Sequence, residues 1–364
     1  MRYIHDHNDW WRFRYDSAQI IGTLGRVRAK QGELLGRMLA LGFERQDEAT
    51  LSNITQELVR SSEIEGETLN EREVRSSIAR RLGIDTAGLV STSRYVDGVV
   101  EMQLDATQHY ALPLSHERLM GWHNVLFPNG MSGLYRIEAG RYRSGEMQVV
   151  SGAWGREKVH YQAPEASRVP EEMERFIAWV NADDGTDAVL KAAIAHLWFV
   201  SIHPFDDGNG RIARAITDML LARSERCGKR FYSISTEINR KRKEYYDVLE
   251  RTQHGNGDIT EWVLWFIGCL NDALNAAERG LEAVVVKAEF WERHRATTIN
   301  ERQRKLLNML MDGFFGKLTS AKWAKIAKCS TDTALNDIND LIAKGILAKG
   351  AAGGRSTSYE LMTH

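Results

Sequence analysis

The stretch His203–Arg214, HPFDDGNGRIAR, places an imidazole, two carboxylates, a Gly-Asn-Gly turn and two guanidinium groups within twelve residues. Each type has a use in phosphate chemistry. His203 can accept a proton near neutrality, because an unperturbed imidazole titrates at roughly pH 6.5. Asp207 is a hard oxygen ligand of the kind Mg²⁺ takes one or two of, leaving its other positions to phosphate oxygens and water. Gly208 and Gly210 can adopt positive φ without a steric penalty. From Asn209 onward the pattern is helical, with Ile212, Ile216, Met219 and Leu220 on one face. The turn therefore opens a helix whose first N–H groups lack intrahelical partners and form an anion cradle. Arg211 and Arg214 share a face of that first turn. The helix dipole opposes cations there, and a bound polyanion would offset the conflict. The set suits transfer from a nucleoside triphosphate onto a hydroxyl.

A second informative stretch is LVRSSEIEGETLN, residues 58–70. Ser61 and Glu65 are four apart and lie on one helix face, and Gly66 can end that helix.

The surrounding elements are mostly helical. Five prolines in 364 residues leave long stretches uninterrupted. Apolar spacing predicts helices at 17–42, 47–65, 71–82, 95–108, 115–126, 170–182, 187–201, 210–225, 239–253 and 258–294. The apolar helix 187–201 runs into Pro204, which breaks it next to His203. The exception is 140–163, where Met147, Val149, Val159 and Tyr161 flank the turn SGAWGRE and predict a β-hairpin. Residues 301–364 read as a separate unit, a helix-turn-helix followed by two short strands around a glycine-rich loop, with the boundary at 296–303.

Composition excludes several classes. The net charge of −1 gives no global signal for nucleic acid or membrane. Three scattered cysteines (Cys227, Cys269, Cys329) suit reduced thiols rather than a disulfide framework. The charged, aromatic N-terminus lacks a signal-peptide pattern, and WVLWFIGCL at 262–270 is too short to span a bilayer. A cytoplasmic protein without a membrane partner is expected. His5 and His7 have no further ligand cluster nearby and read as surface or packing residues.

HPFDDGNGRIAR resembles the signature of the Fic family, HPFx[D/E]GNGRxxR, without departure. The resemblance implies a mainly α fold: a Fic-type helical bundle with a β-hairpin flap, here followed by a C-terminal winged helix-turn-helix domain. It implies an N-terminal helical region at 1–95 with an inhibitory helix at 47–66, a catalytic core at 96–295 and the winged unit at 301–364. It further implies transfer of AMP from ATP to Tyr, Ser or Thr hydroxyls of proteins, this chain included, with Mg²⁺ as cofactor. His203 would be the base and Asp207 the metal ligand. Asn209 and the Gly208 and Gly210 backbone would hold the α- and β-phosphates, Arg211 the β-phosphate and Arg214 the γ-phosphate. Phe205 would anchor the loop. Relatives with Lys in place of the second glycine act as kinases, so Gly210 favours AMP transfer. The hairpin 146–163 matches the flap on which an extended target segment docks by strand addition. Residues 238–250 resemble the helix walling the adenine pocket, with Tyr245 or Tyr246 available to the nucleotide.

Fic proteins that restrain themselves carry [S/T]xxxE[G/N], and SSEIEG at 61–66 fits with Ser61, Glu65 and Gly66. Of the nearby acids only Glu65 satisfies the pattern. Its carboxylate would occupy Arg214 in a bidentate pair and deny that group to the γ-phosphate. Two alternatives stay open: removal of AMP with Glu65 orienting water, and a DNA-binding regulator whose Fic core senses nucleotide. The 301–364 unit is mildly basic, but its recognition helix carries Asp332, Asp337 and Asp340, which would repel phosphates. Protein contact, target docking or a homodimer fits that unit at least as well as DNA.

Overall fold

The structure, a computed structural model, describes residues 3–85, 88–152, 156, 158–311, 317–350 and 357–362. The chain divides into two compact units, Met1–Ala277 and Glu278–His364. The N-terminal region expected at 1–95 and residues 96–277 of the expected core thus share one unit, while residues 278–295 fall in the second. The second begins upstream of the 296–303 segment.

The first unit contains helices α1 (Ser17–Leu39), α2 (Phe43–Ile64), α3 (Glu71–Leu82), α4 (Arg94–Gln108) and α5 (His116–Leu126). Strands β1 (Met131–Ser132), β2 (Tyr135–Arg136), β3 (Gln148–Ser151) and β4 (Lys158–Gln162) follow. Next come α6 (Val169–Asn181), α7 (Ala188–Ile202), α8 (Asn209–Glu225), α9 (Ile234–Arg240), α10 (Arg242–Gln253) and α11 (Thr260–Arg293), which runs past the unit boundary.

α7 is the centre. It is apolar on every side, so the other helices must enclose it, and each residue from Val189 to Ile202 is buried. Asp187 caps its start by accepting from the Val189 and Leu190 N–H groups. α8 packs along α7, α6 covers another face, and α4 and α5 lie on α8. α2 packs on α3 and α9 and reaches α8. That contact carries the 61–67 segment to the signature loop.

β3 and β4 form the expected antiparallel hairpin, with a register shift between Val149 and Val150. Residues 153–155 and 157 of its SGAWGRE turn lie outside the described residues. Three departures have local causes. α2 starts at Phe43, not 47, because Gly42 serves as its N-cap. The helix expected at 239–253 is two, α9 and α10, joined at Lys241. The two-residue strands β1 and β2 are too short to leave a periodic signal.

The second unit holds α12 (Glu301–Met311), α13 (Ser320–Ala327), α14 (Thr331–Ala343) and an antiparallel pair, β5 (Leu347–Lys349) with β6 (Tyr359–Leu361). Leu306, Leu307, Trp323, Ile338, Leu341 and Ile346 are at its core. Two of the three carboxylates expected to face phosphates are engaged within the unit. Asp337 is buried and takes Arg302 at 2.9 Å, and Asp340 pairs with Lys344 and Gln303. Among the described residues no helix is long and apolar enough to cross a membrane.

Candidate active site

The signature loop begins where α7 stops. His203 occupies the left-handed region (φ 52°, ψ 58°), unusual for a residue with a Cβ. Its Nδ1 lies 3.2 Å from the Val200 carbonyl. A carbonyl can only accept, so the proton belongs on Nδ1 and the lone pair on Nε2. Arg143 holds the loop from the flap side. Its Nε donates to the His203 carbonyl at 2.7 Å and its backbone N–H to Pro204 at 2.9 Å. Its remaining nitrogens donate to the carbonyls of Gly145, Pro164 and Ile202.

Phe205 is fully buried and stacks on His123, with ring centroids 4.2 Å apart. His123 in turn bridges two backbones. Its Nδ1 accepts from the Gly140 N–H at 2.8 Å, and its Nε2 donates to the Asp207 carbonyl at 3.2 Å. The Asn209 side chain is engaged within the loop itself. Its Oδ1 accepts from the Phe205 N–H at 3.0 Å and its Nδ2 donates to the Phe205 carbonyl at 2.8 Å, so the amide clamps the loop. Gly208 has φ +79°, and a Cβ there would meet Phe127 at 2.9 Å. Gly210 departs from the positive-φ expectation, since it sits inside α8 with an ordinary helical φ. Its lack of a side chain matters for another reason: a Cβ would overlap the Glu65 Oε1, and that carboxylate would have to shift.

Asp207 is the loop's accessible carboxylate, 40% exposed, beside Arg211 at 3.6 Å. Ser132 of β1 donates to its Oδ2, and the Gly208 N–H donates to its Oδ1 at 2.6 Å.

The two arginines in the N-terminal part of α8, Arg211 and Arg214, are buried and both are held by the end of α2. Arg214 donates through Nε to Ser61 Oγ at 2.8 Å and through Nη2 to the Ser61 carbonyl at 2.9 Å. The same Nη2 lies 2.7 Å from Glu65 Oε1. The pair is therefore single-pronged with Ser61 completing it, rather than the bidentate fork expected. Burial works to lower the Arg214 pKa, but Glu65 together with the Tyr245 and Tyr246 hydroxyls outweighs it and holds the guanidinium more firmly protonated. Arg211 Nη1 donates to Glu67 Oε2 at 2.8 Å and to the Tyr95 hydroxyl at 2.7 Å. Arg211 Nε and Nη2 and Arg214 Nη1 are buried without a hydrogen-bond partner.

The α2 terminus is shaped to present these carboxylates. Gly66 takes φ +83°. Its N–H bonds the Glu63 carbonyl and the Glu67 N–H bonds the Ser62 carbonyl, both at 3.0 Å, a double closure of the Schellman type. Glu65 and Glu67 stand on either side of this turn.

Residues 113–221 match the family model described as the Fic/DOC family, and residues 3–84 match a domain of unknown function (DUF4172). The Fic/DOC match covers 109 of the 364 residues. The protein adenylyltransferase Fic of Drosophila yakuba is 26% identical over 231 residues, covering 60% of this chain and 41% of that protein. The Drosophila willistoni counterpart is 26% identical over 285 residues, covering 74% and 51% respectively. The chain thus spans about two-fifths to one-half of the length of these curated relatives. A crystal structure of a Fic family protein from Desulfovibrio desulfuricans superposes with a TM-score of 0.53 at 22% identity, covering 93% of this chain and 96% of that one. A Fic domain containing signaling protein from Bacteroides thetaiotaomicron also gives 0.53 at 22% identity, covering 71% and 98%. At this identity these two structures speak to the fold.

Around the Fic signature, the two tyrosines of α10 part company. Tyr245 corrects an expectation. It is buried, with its hydroxyl 2.9 Å from His196 Nε2, and it packs on Trp262 and Trp265, so it is a core residue. Tyr246 is 39% exposed and donates to the Ile64 carbonyl at 2.9 Å, which pins the end of α2. Sequence reasoning missed Arg143, His123, Ser132, Glu67 and Tyr95. Only Glu67, in the acidic run, carried a local signal.

Arg143 makes a checkable case. Its replacement by alanine would strip donors from several carbonyls in a buried corner, at about 1–3 kcal/mol for each group left unsatisfied. Arg143→Ala is expected to lose about 3–4 kcal/mol of stability, read as a lower urea midpoint at unchanged slope.

Burial also keeps several histidines of this unit neutral. It lowers His5 and His123 to about 4 and His196 to about 3. In the unfolded chain each titrates near 6.5. Between those values the unfolded state binds more protons, so their stabilisation is complete above pH 6.5 and is lost as pH falls. Asp218, raised by burial and by Glu57, runs the other way and offsets one proton. Even before His203, which is lowered as well, the net of two protons gives about 3 kcal/mol per pH unit. The melting temperature should fall between pH 6.5 and 4.5; a flat profile in calorimetry would contradict the buried neutral histidines.

Proposed function

We propose that this chain is an autoinhibited protein adenylyltransferase that moves AMP from ATP to a Tyr, Ser or Thr hydroxyl of a protein target. The observation that carries the reading is the buried Arg214, placed at the mouth of the α8 anion cradle and held by Glu65 and Ser61. A cation in that position has a phosphate to bind, and Glu65 stands in its place.

The residues divide the work as follows. His203 Nε2 takes the proton of the target hydroxyl, whose oxygen attacks the α-phosphorus. The bond to the bridging oxygen of the β-phosphate breaks and diphosphate leaves. The first N–H groups of α8 receive phosphate oxygens, with Arg211 on the β-phosphate and Arg214 on the γ-phosphate. The orphaned donors on both arginines suit this anion. Asp207, a hard oxygen donor 40% exposed on the loop, suits a Mg²⁺ that brings phosphates and water as its other ligands. The metal would neutralise charge on the leaving diphosphate. The β3–β4 hairpin offers a strand edge for an extended target segment. The three helices and terminal strand pair of the second unit support a winged-helix reading, suited to target docking or self-association.

The test is to incubate the Glu65→Gly variant with Mg²⁺ and ATP labelled at either the α- or the γ-phosphate. Label should pass to protein from the α-position and not from the γ-position. Transfer of γ-label would make the chain a kinase.

A further inference from the structure

We propose that Glu67 is a second inhibitory carboxylate, which holds Arg211 against the β-phosphate as Glu65 holds Arg214 against the γ-phosphate. This rests on the nucleotide reading of the site given above and adds a residue outside the self-restraint pattern.

Arg211 is 2% exposed, and Glu67, 36% exposed, approaches one of its nitrogens at 2.8 Å. Tyr95 closes the cluster by donating to Glu67 and accepting from Arg211. The Arg211 guanidinium also lies over the Phe127 ring at 5.1 Å, which fixes its plane. Its Nε and Nη2 stay buried with no hydrogen-bond partner. Nε has no partner and Nη2 has only the Asp207 carboxylate at 3.6 Å, beyond hydrogen-bond reach, while Glu67 sits directly on the third nitrogen. An incoming phosphate would satisfy the orphans but would meet the Glu67 carboxylate across the same guanidinium. Two anions sharing one buried cation repel each other, a repulsion that solvent around the 36% exposed Glu67 weakens but does not remove. Nucleotide binding therefore requires Glu67 to withdraw or bear that repulsion, whatever Glu65 does.

The geometry also joins the two restraints. Glu65 and Glu67 flank Gly66 in one hydrogen-bonded turn, so a movement of the α2 terminus withdraws both. Removing Glu65 alone leaves Arg211 occupied.

Binding of ADP, ATP and AMP to the full chain separates the contributions. Glu67→Gln keeps the side chain's size and an acceptor for Arg211 but removes the charge. In the Glu65→Gly background it should tighten ADP and ATP about tenfold and leave AMP, which has no β-phosphate, unchanged. Tyr95→Phe, which keeps the carboxylate, should give less than half of that gain on a logarithmic scale. Equal ADP affinity with and without Glu67→Gln, weaker ADP binding, or an equal gain for AMP would each overturn the proposal while leaving Glu65 inhibition standing. Failure of Glu65→Gly to bind any adenine nucleotide would overturn the nucleotide site and this inference with it. A melting temperature for each variant, matched to its parent within a few degrees, shows that the changes are not those of a misfolded chain.

Discussion

His203→Ala should lower AMP transfer by about 10²–10⁴-fold at pH 7 while ADP still binds, since a positioned general base contributes that range. The backbone prepares the imidazole before substrate arrives. Its left-handed φ turns the ring out of the α7 end, the Val200 carbonyl fixes the proton on Nδ1, and Arg143 holds the carbonyl behind it. Burial is the largest influence on the ring and lowers its pKa below 6.5. A base works only when unprotonated, so a lowered pKa keeps it competent at neutrality and moves the acid limb of the rate profile below pH 6.5. Measured rates for Glu65→Gly with and without His203→Ala, from pH 5 to 8, would show both effects. A residual rate within tenfold of the parent would remove His203 from the role of base.

Glu65→Gly should raise AMP transfer about 10–100-fold, the equivalent of releasing one charge-assisted hydrogen bond of roughly 1.5–3 kcal/mol from Arg214. The gain carries a cost. Arg214 is 1% exposed, and without Glu65 its charge is compensated only by the two Ser61 contacts. Breaking a fully buried ion pair costs about 3–5 kcal/mol. With Glu65 29% exposed, solvent screening reduces this to about 1–2 kcal/mol. The active variant should therefore melt lower than the parent. ATP should restore much of the difference, because it binds the folded state alone. Initial rates with α-labelled ATP, paired with melting curves at graded ATP, check both halves. A variant that is neither faster nor less stable would show that the contact restrains nothing.

What could be read from the sequence was what lies close along the chain. HPFDDGNGRIAR is contiguous, and the Ser61–Glu65 spacing is one helical turn, so both were visible before any fold. The helices announced themselves by period, as did the hairpin at 146–163. The missed contacts span long intervals. Arg143 meets the His203 carbonyl and Glu67 meets Arg211 across 60 and 144 residues, and no periodicity encodes such pairings. Tyr245 misled because an aromatic at helical spacing looks the same whether it faces a ligand or the core. The clamp Asn209 makes on Phe205 was not legible because the family motif names a residue without saying which way its amide turns. Asp337 looked like a phosphate-repelling surface charge until α14 was placed against Arg302.

Gly210 has a bearing on how this protein can change over generations. The volume that a methyl group would fill is held by the Glu65 carboxylate, so a larger residue at 210 would push the restraint out of its place. The first consequence of drift at that position would be escape from control, ahead of any effect on the imidazole or the metal ligand. Selection for a silent resting enzyme thus falls on a residue with no side chain of its own.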